Sequence, residues 1–278
     1  VDGEREFLMA MKWLGRIMAG AAVILAGAGT AEAAKCGNDA GGYAAWVDAF
    51  SAEAKAAGIK PNALKALQGT SYATKTIWAD RNQKSFKLSF EQFMAKRGAP
   101  TIMSRGVSAK RSNAALFSSI EKKYGVPAGP LIAIWQMETG GGSFMGNQNT
   151  LSAVATLAYD CRRSDYFTTQ LYAMLKLIER GSVSGSTTGA MHGEIGQTQF
   201  LPANVLKYGV DGDGDGRVDL KGKADALAST ANFLRGHGWR AGAGYQPGEP
   251  NFAALQGWNA AGVYQKAIAV IGKHIDDN

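Results

Sequence analysis

The sequence predicts a mainly α (α+β) protein: one helical body with a small irregular or β-containing lobe set into it. Three observations carry this. Apolar residues recur with a period near 3.6 through most of the chain after residue 40. The periodic stretches start and stop at Pro, Ser and Gly in the places where helices favour them. Between Gly181 and Gly222 the pattern breaks off, and Gly, Ser and Thr dominate in "GSVSGSTTGAMHGEIGQTQFLP". No internal repeat or low-complexity linker is present, so tandem modules are not expected.

In order along the chain, "AAWVDAFSAEAKAAG" has helical spacing and stops at Gly58. "PNALKALQG" is a short helix with Pro61 in its first turn and Gly69 at its end. "SFEQFMAKRG" is a third. "SNAALFSSIEKKYG" starts at Ser112 as N-cap and ends at Gly125. "PAGPLIAIWQMETG", "TLSAVATLAYD" and "DYFTTQLYAMLKLIERG" follow, then the lobe, about 181–224. Helical patterning returns in "ADALASTANFLRGHG" and "VYQKAIAVIGKHI".

The bulk numbers limit the function classes. The chain has 278 residues, 46% hydrophobic and 19% charged, so it buries a real core and is not a disordered chain. A net charge of +7 favours anionic partners: nucleic acid, an anionic membrane or an acidic wall polymer. Near the N-terminus, Met11-Lys12 and Arg16 lead into "IMAGAAVILAGAG" and then "TAEAAKC". Basic, apolar, then small-x-small is the pattern of a secretory signal. Its apolar run of about 13 residues is too short to span a bilayer. Residues 1–35 are therefore expected to be a signal and N-terminal extension, cleaved near 33–35, and 36–278 an exported periplasmic domain. Lys35 before Cys36 argues against a lipid anchor. Cys36 and Cys161, the two cysteines, are expected to pair in an oxidising compartment.

Four stretches offer chemistry. In "IWQMETGGGS", Glu138 shares its helix face with Trp135, Ile134 and Leu131. Desolvation there favours the protonated acid, which can then act as a general acid; the plain alternative is a helix-end Glu that reaches solvent or pairs with an Arg. Gly140, Gly141 and Gly142 allow close approach of a backbone or ligand. In "GEIGQTQFLP", Glu194, Gln197 and Gln199 either address a polar ligand such as a sugar or satisfy their own loop. In "DGDGDGRVDL", Asp211, Asp213, Asp215, Arg217 and Asp219 fall on positions 1, 3, 5, 7 and 9 of a calcium loop. Position 12 is Gly222 rather than an acid, and Asp225 comes three residues late, so the expected structural calcium is a weak one; the alternative is a Gly-Asp turn without metal. In the tail, Tyr264 aligns with Ala267, Ile268 and Ile271 as a core residue, and Trp258 and Asn259 precede that helix.

The absences exclude classes. His192, His237 and His274 lack metal-ligand spacing, which argues against a zinc hydrolase. There is no phosphate loop, dinucleotide fingerprint or nucleic-acid module.

The region from Ala128 to Ile275 resembles the bacterial lytic murein transglycosylases of the B type. The resemblance rests on six blocks in order: "AIWQMETGGG", "VATLAYDCRRSDYF", "GEIGQTQFLP", "YGVDGDGDGRVDL", "DALASTANFLRGHGW" and "GWNAAGVYQKAIAVIG". "NQKSFKLSFEQFM" resembles the segment upstream. The resemblance implies a lysozyme-like helical domain whose small lobe holds a calcium-type loop. It implies cleavage of the β-1,4 bond between N-acetylmuramic acid and N-acetylglucosamine in peptidoglycan without water, leaving a 1,6-anhydro end. The family's catalytic glutamate matches Glu138, its substrate-binding glutamine Gln199, its C-terminal asparagine Asn259, and a tyrosine behind the acid Tyr264. A family tyrosine falls on Phe233. With Glu194, these are the expected substrate-binding residues. The sequence departs from the family at Gly141, where an aromatic is common, at Ala190, where a serine is common, and at Gly222. No cofactor is expected for the chemistry, and a monomer with no membrane span is expected. Two alternatives stand beside this: a hydrolysing muramidase in which Glu194 or Asp160 is a second carboxylate, and a non-catalytic wall- or calcium-binding protein.

Overall fold

The computed structural model describes residues 34–82 and 88–278. The expected signal segment lies outside the described residues, apart from its last two, as does part of the "NQKSFKLSFEQFM" block. Ala33–Asn278 forms one compact unit.

The helix at its centre is α7, Ala128–Thr139. Leu131, Ile132, Ala133 and Ile134 are fully buried, so the middle of this helix has no solvent face. It packs against α5 (Ala99–Ser112) and α13 (Gly262–Asp277). The crossing is close because it is made of glycines: a Cβ on Gly129 would stand 2.2 Å from the carbonyl oxygen of Gly272. At the same crossing Asp276 accepts the Gly129 N–H at 2.7 Å, which sets a carboxylate on the helix N-terminus. A second layer is α8 (Thr150–Tyr159) on α9 (Ser164–Glu179), with α1 (Tyr43–Ala56), α2 (Pro61–Gln68) and α3 (Thr74–Arg81) against them. α4 (Phe90–Arg97), expected as a helix, starts from a capping box at Ser89–Gln92 and ends at left-handed Gly98. α6 (Ala114–Tyr124) ends at left-handed Gly125 as expected, but its first turn follows Asn113, not Ser112. Ser112 is the last residue of α5, a helix the apolar pattern did not predict: Gly106 interrupts it, and that glycine is needed because a Cβ there would meet Ile275 at 2.4 Å.

The small β-containing lobe is present as expected, but it is less contiguous in sequence than 181–224. Its ladder is two residues a side, Gln148–Asn149 (β1) antiparallel to Thr188–Gly189 (β2), with one further bridge between Ile195 and Phe200. β1 lies upstream of residue 181. The expected loop region also contains a helix, α10 (Pro202–Tyr208), which is too short for a periodic signal. α11 (Lys223–Gly236) and α12 (Phe252–Trp258) lead on to α13.

Cys36 and Cys161 form a disulfide, Cα–Cα 5.0 Å, as the sequence predicted. Around it, Gly37 pairs with the backbone at Tyr159 and Cys161. Asp160, 2% exposed, binds Arg81 at 2.5 Å, and Asp80 pairs with Arg162 and Arg163. Among the described residues, no helix is long and apolar enough to cross a membrane.

Candidate active site

Glu138 stands in the last turn of α7, with its side chain partly exposed. Its Oε1 accepts the Tyr264 hydroxyl at 2.7 Å and the Trp258 indole N–H at 3.2 Å. Both donors arrive from the far end of the chain: Trp258 closes α12 and Tyr264 opens α13. Burial pushes the Glu138 carboxyl above its ordinary range, against the pull of those two hydrogen bonds and of the Arg97 charge. The nearby charge of Glu194 pushes it the same way as burial. Burial, together with the contact with Glu138, likewise raises the Tyr264 phenol well above its usual value. This is an acid that retains its proton longer than a surface glutamate does, on a rigid helix, with one oxygen held.

The glycines after it are explained by backbone conformation. Gly140, Gly141 and Gly142 all have left-handed φ, 61°, 74° and 82°. They reverse the chain so that Gly140 and Gly141 N–H return to the carbonyls of Gln136 and Trp135. Thr139 then locks the turn: its hydroxyl donates to the Gln197 carbonyl at 2.6 Å and accepts the Gly142 N–H at 2.9 Å. Beyond the turn, Phe144 is 66% exposed and is its one aromatic ring.

The lobe faces this helix end through residues 190–200. Gln197, an amide the sequence offered for a ligand, is occupied: it accepts the Trp135 indole N–H at 2.8 Å and donates to the Lys221 carbonyl at 2.6 Å. It latches α7 to the lobe. Gln199 is the one non-glycine residue with positive φ, 57°, among those described. That strained conformation is held by its own amide, which donates to Gly196 O at 2.7 Å and Met145 O at 3.3 Å, so the side-chain oxygen is its remaining acceptor. Asn259 is similar: its oxygen takes the Ala261 N–H at 2.9 Å, and its NH2 is the group left over.

Glu194 is partly exposed and is held by His192, through the backbone N–H at 2.9 Å and the ring Nδ1 at 3.3 Å. Burial pushes its carboxyl up, but the His192 contacts together with backbone hydrogen bonds outweigh it, and the net shift is downward. The other ring nitrogen of His192 lies 3.8 Å from Asp80.

Two expected substrate contacts are corrected. Tyr264 is 2% exposed, so it holds the acid rather than the sugar. Phe233 is 3% exposed and packs 5.2 Å from Trp258, 5.8 Å from Phe200 and 4.0 Å from His237, so its ring supports Trp258 from behind. Asp160 is not a free second carboxylate, because Arg81 and the backbone of Arg162 occupy it.

The aspartate loop also differs from its sequence reading. The carboxylates that converge are Asp211, Asp213 and Asp225, with ligand atoms all within 4.8 Å of one another. Asp225, in the first turn of α11, takes the place sought at position 12; its oxygens accept the N–H groups of Gly212 at 2.7 Å and Asp219 at 2.6 Å. Asp215 and Asp219 turn to their neighbours' backbone, Arg217 and Lys221. Backbone N–H groups of Gly216 and Gly214 hold the Asp211 carboxyl below its ordinary range. Three hard carboxylate groups at this spacing fit calcium.

A family model described as "Transglycosylase SLT domain" matches residues 42–248. The chain belongs to this family. The matched residues include Glu138, Glu194, Gln199 and the aspartate loop, and end before Asn259 and Tyr264. Membrane-bound lytic murein transglycosylase B of Escherichia coli (strain K12) is 36% identical over 138 residues, which cover 46% of this chain and 38% of that protein. The match thus spans well under half the length of that relative. Among solved structures, SltB3 from Pseudomonas aeruginosa in complex with NAG-NAM-pentapeptide superposes with a TM-score of 0.78 at 28% identity, over 85% of this chain and 80% of that one. The Escherichia coli lytic transglycosylase Slt35 in complex with calcium gives 0.71 at 21%, over 87% and 96%, a likeness of fold.

Arg97, His192 and Trp258 are the site residues that sequence reasoning missed or left at the rim. Trp258 and Arg97 carry no local signal, since both meet Glu138 only through the packing of α4, α12 and α13. Asp225 had a signal in its spacing after the loop, read too strictly as a twelve-residue motif.

Proposed function

We propose that this protein is an exported, periplasmic lytic transglycosylase that cleaves the MurNAc-β-1,4-GlcNAc bond of peptidoglycan without water. The observation that carries this is Glu138: one carboxyl, on an apolar helix end, with its proton favoured by burial and its orientation set by Tyr264 and Trp258. Glu138 protonates the glycosidic oxygen as positive charge develops at the muramyl C1. The substrate's N-acetyl group stabilises that charge. Glu138, now a carboxylate, takes the proton of the sugar's own 6-hydroxyl, whose oxygen bonds to C1 and gives the 1,6-anhydro product. The nucleophile belongs to the substrate, so proximity does the work that a second carboxylate does in ordinary glycosidases. Family membership and the glycan-peptide complex of SltB3 support the substrate class. The Gln199 oxygen and the Asn259 NH2 are the polar groups offered to the sugars, with Glu194 at the rim.

Glu194 favours one other reading. It is a carboxylate held below its ordinary range beside an acid pushed above it, which is the pairing a hydrolysing muramidase uses. Mass spectrometry of digested peptidoglycan separates the two: anhydro ends are expected, and reducing ends would overturn the transglycosylase reading. A Glu138→Gln variant that lyses walls as fast as wild type would overturn both and leave a non-catalytic wall-binding protein.

Asp211, Asp213 and Asp225, with the carbonyl of Arg217, would hold a structural calcium ion that ties the loop to α11. The ion takes no part in the reaction. Calcium is expected to raise the melting temperature and chelator to lower it; no change in either would reject the site.

A further inference from the structure

The last carbonyls of a helix have no partner inside it, and each must find one elsewhere. At the end of α7, Gly141 and Gly140 serve Trp135 and Gln136, and Phe144 serves Thr139. The carbonyl of Met137, the residue immediately before the acid, is served by Arg97, whose Nη1 donates to it at 3.2 Å. Arg97 stands in the last turn of α4. Its guanidinium also lies 5.5 Å from the centroid of the Tyr264 ring and 5.3 Å from that of Phe93, and those two rings meet edge-to-face at 5.8 Å. Tyr264 in turn carries the 2.7 Å hydrogen bond to Glu138. One cation thus grips the backbone beside the acid and the face of the ring that holds the acid.

We infer that Arg97 is a positioning residue for Glu138: it fixes the end of the catalytic helix and the Tyr264 phenol as one unit. The inference rests on the reading of Glu138 as the acid. A cation at a helix C-terminus also opposes the dipole's partial negative charge. The ionisable groups that face Glu138 are Tyr264 from α13, Arg97 from α4 and Glu194 from the lobe, with the Trp258 N–H from α12. Arg97 is the one cation among them, and it favours the carboxylate while Glu194 opposes it. The outer side of Arg97 borders an open cavity of about 340 Å³ lined also by Arg105, Gln136 and Gly140, so shortening the side chain leaves no sealed void in the core.

The test uses the full chain with Arg97→Met, Arg97→Lys and Arg105→Met. Two readouts are taken: rates on soluble glycan fragments across pH, and carbon-13 NMR titration of the Glu138 carboxyl. Arg97→Met is expected to lower kcat about tenfold with KM within about twofold. It moves the Glu138 titration upward, and the alkaline limb of the rate profile upward with it. Arg97→Lys keeps the titration near wild type but recovers only part of kcat, because an ammonium lacks the planar fork and the stacking face. Arg105→Met removes the same charge from the same cavity and leaves both readouts in place. An unmoved Glu138 titration and unchanged kcat in Arg97→Met would overturn the inference, as would an equal shift from Arg105→Met. If Arg97→Met does not fold, full wild-type kcat in Arg97→Lys overturns it. If Glu138→Gln retains activity, the catalytic reading fails instead, and the NMR titration still decides whether Arg97 is coupled to Glu138.

Discussion

The end of α7 and the loop from Asp211 to Asp225 both present carboxylates, and they treat them in opposite ways. Glu138 meets two side-chain donors in an apolar setting, and burial dominates, so its proton is favoured. Asp211 sits in a turn whose own backbone N–H groups point at it, so its charge is favoured. The difference is one of where the donors come from. A tight Gly-Asp turn supplies donors within a few residues, at no cost in long-range order. The donors to Glu138 stand 120 and 126 residues away, and exist only when α12 and α13 are packed on α7. One site is written locally, and the other is made by the fold.

The strongest way to break this comparison is Glu138→Gln. It is expected to lower wall lysis by about 10²–10⁴-fold, the range for loss of a general acid. The same variant is expected to melt higher than wild type at neutral pH. The sign follows from linkage: a carboxyl whose folded pKa lies above its unfolded value costs the folded state stability as pH rises past the unfolded value, and Gln does not ionise. A lower melting temperature in calorimetry would mean that the Glu138 charge is compensated and the contrast with Asp211 is wrong.

Next in size is the disulfide, which belongs to the helical body and to neither site. Replacing Cys36 and Cys161 by Ser is expected to cost about 2–5 kcal/mol in denaturant unfolding. Calcium-dependent stabilisation is expected to persist, because the acidic loop does not depend on that bridge; its loss would show that the two regions share one unfolding unit.

Asp225→Asn sharpens the other side. Asp225 is 3% exposed and accepts two backbone N–H groups, whereas Asn has one acceptor oxygen. A loss of about 1–3 kcal/mol is expected in chelator, together with loss of any melting shift on adding calcium. Retention of the calcium shift would remove Asp225 from the ligand set.

The smallest effect is expected from Glu194→Gln. Removing a like charge lowers the Glu138 pKa, so the alkaline limb of the pH–rate profile should move down, opposite to the Arg97→Met shift. A fixed limb would show that Glu194 does not act on the acid through space.

Legibility in the sequence followed the same divide. Helices α1, α2, α4 and α7 could be read because their apolar stripes and their Pro, Ser and Gly ends are local. α5 was missed because Gly106 is there for Ile275, a residue 169 positions on. Glu138 was found from its face and its family block, but the left-handed φ that its three glycines all adopt was not part of that reading. Tyr264 was legible as a core residue from its spacing on α13, yet it was also counted among the substrate-binding residues. Phe233 was assigned to the substrate because a motif gives identity without depth, and only packing shows that its ring is buried. Gln197 and Gln199 look alike in "GQTQF", yet one is a latch and the other a strained residue with a spare oxygen. Nothing in their spacing distinguishes them.

The Cys36–Cys161 bond has a consequence for how this protein survives a protease. It closes a covalent ring that contains Glu138, Arg97 and the whole of α7. A single cut anywhere from residue 37 to residue 160 leaves the two pieces joined, and the acid stays attached to the half that carries Gln199, Asn259 and Tyr264. On a gel such a nicked molecule runs as one band until it is reduced.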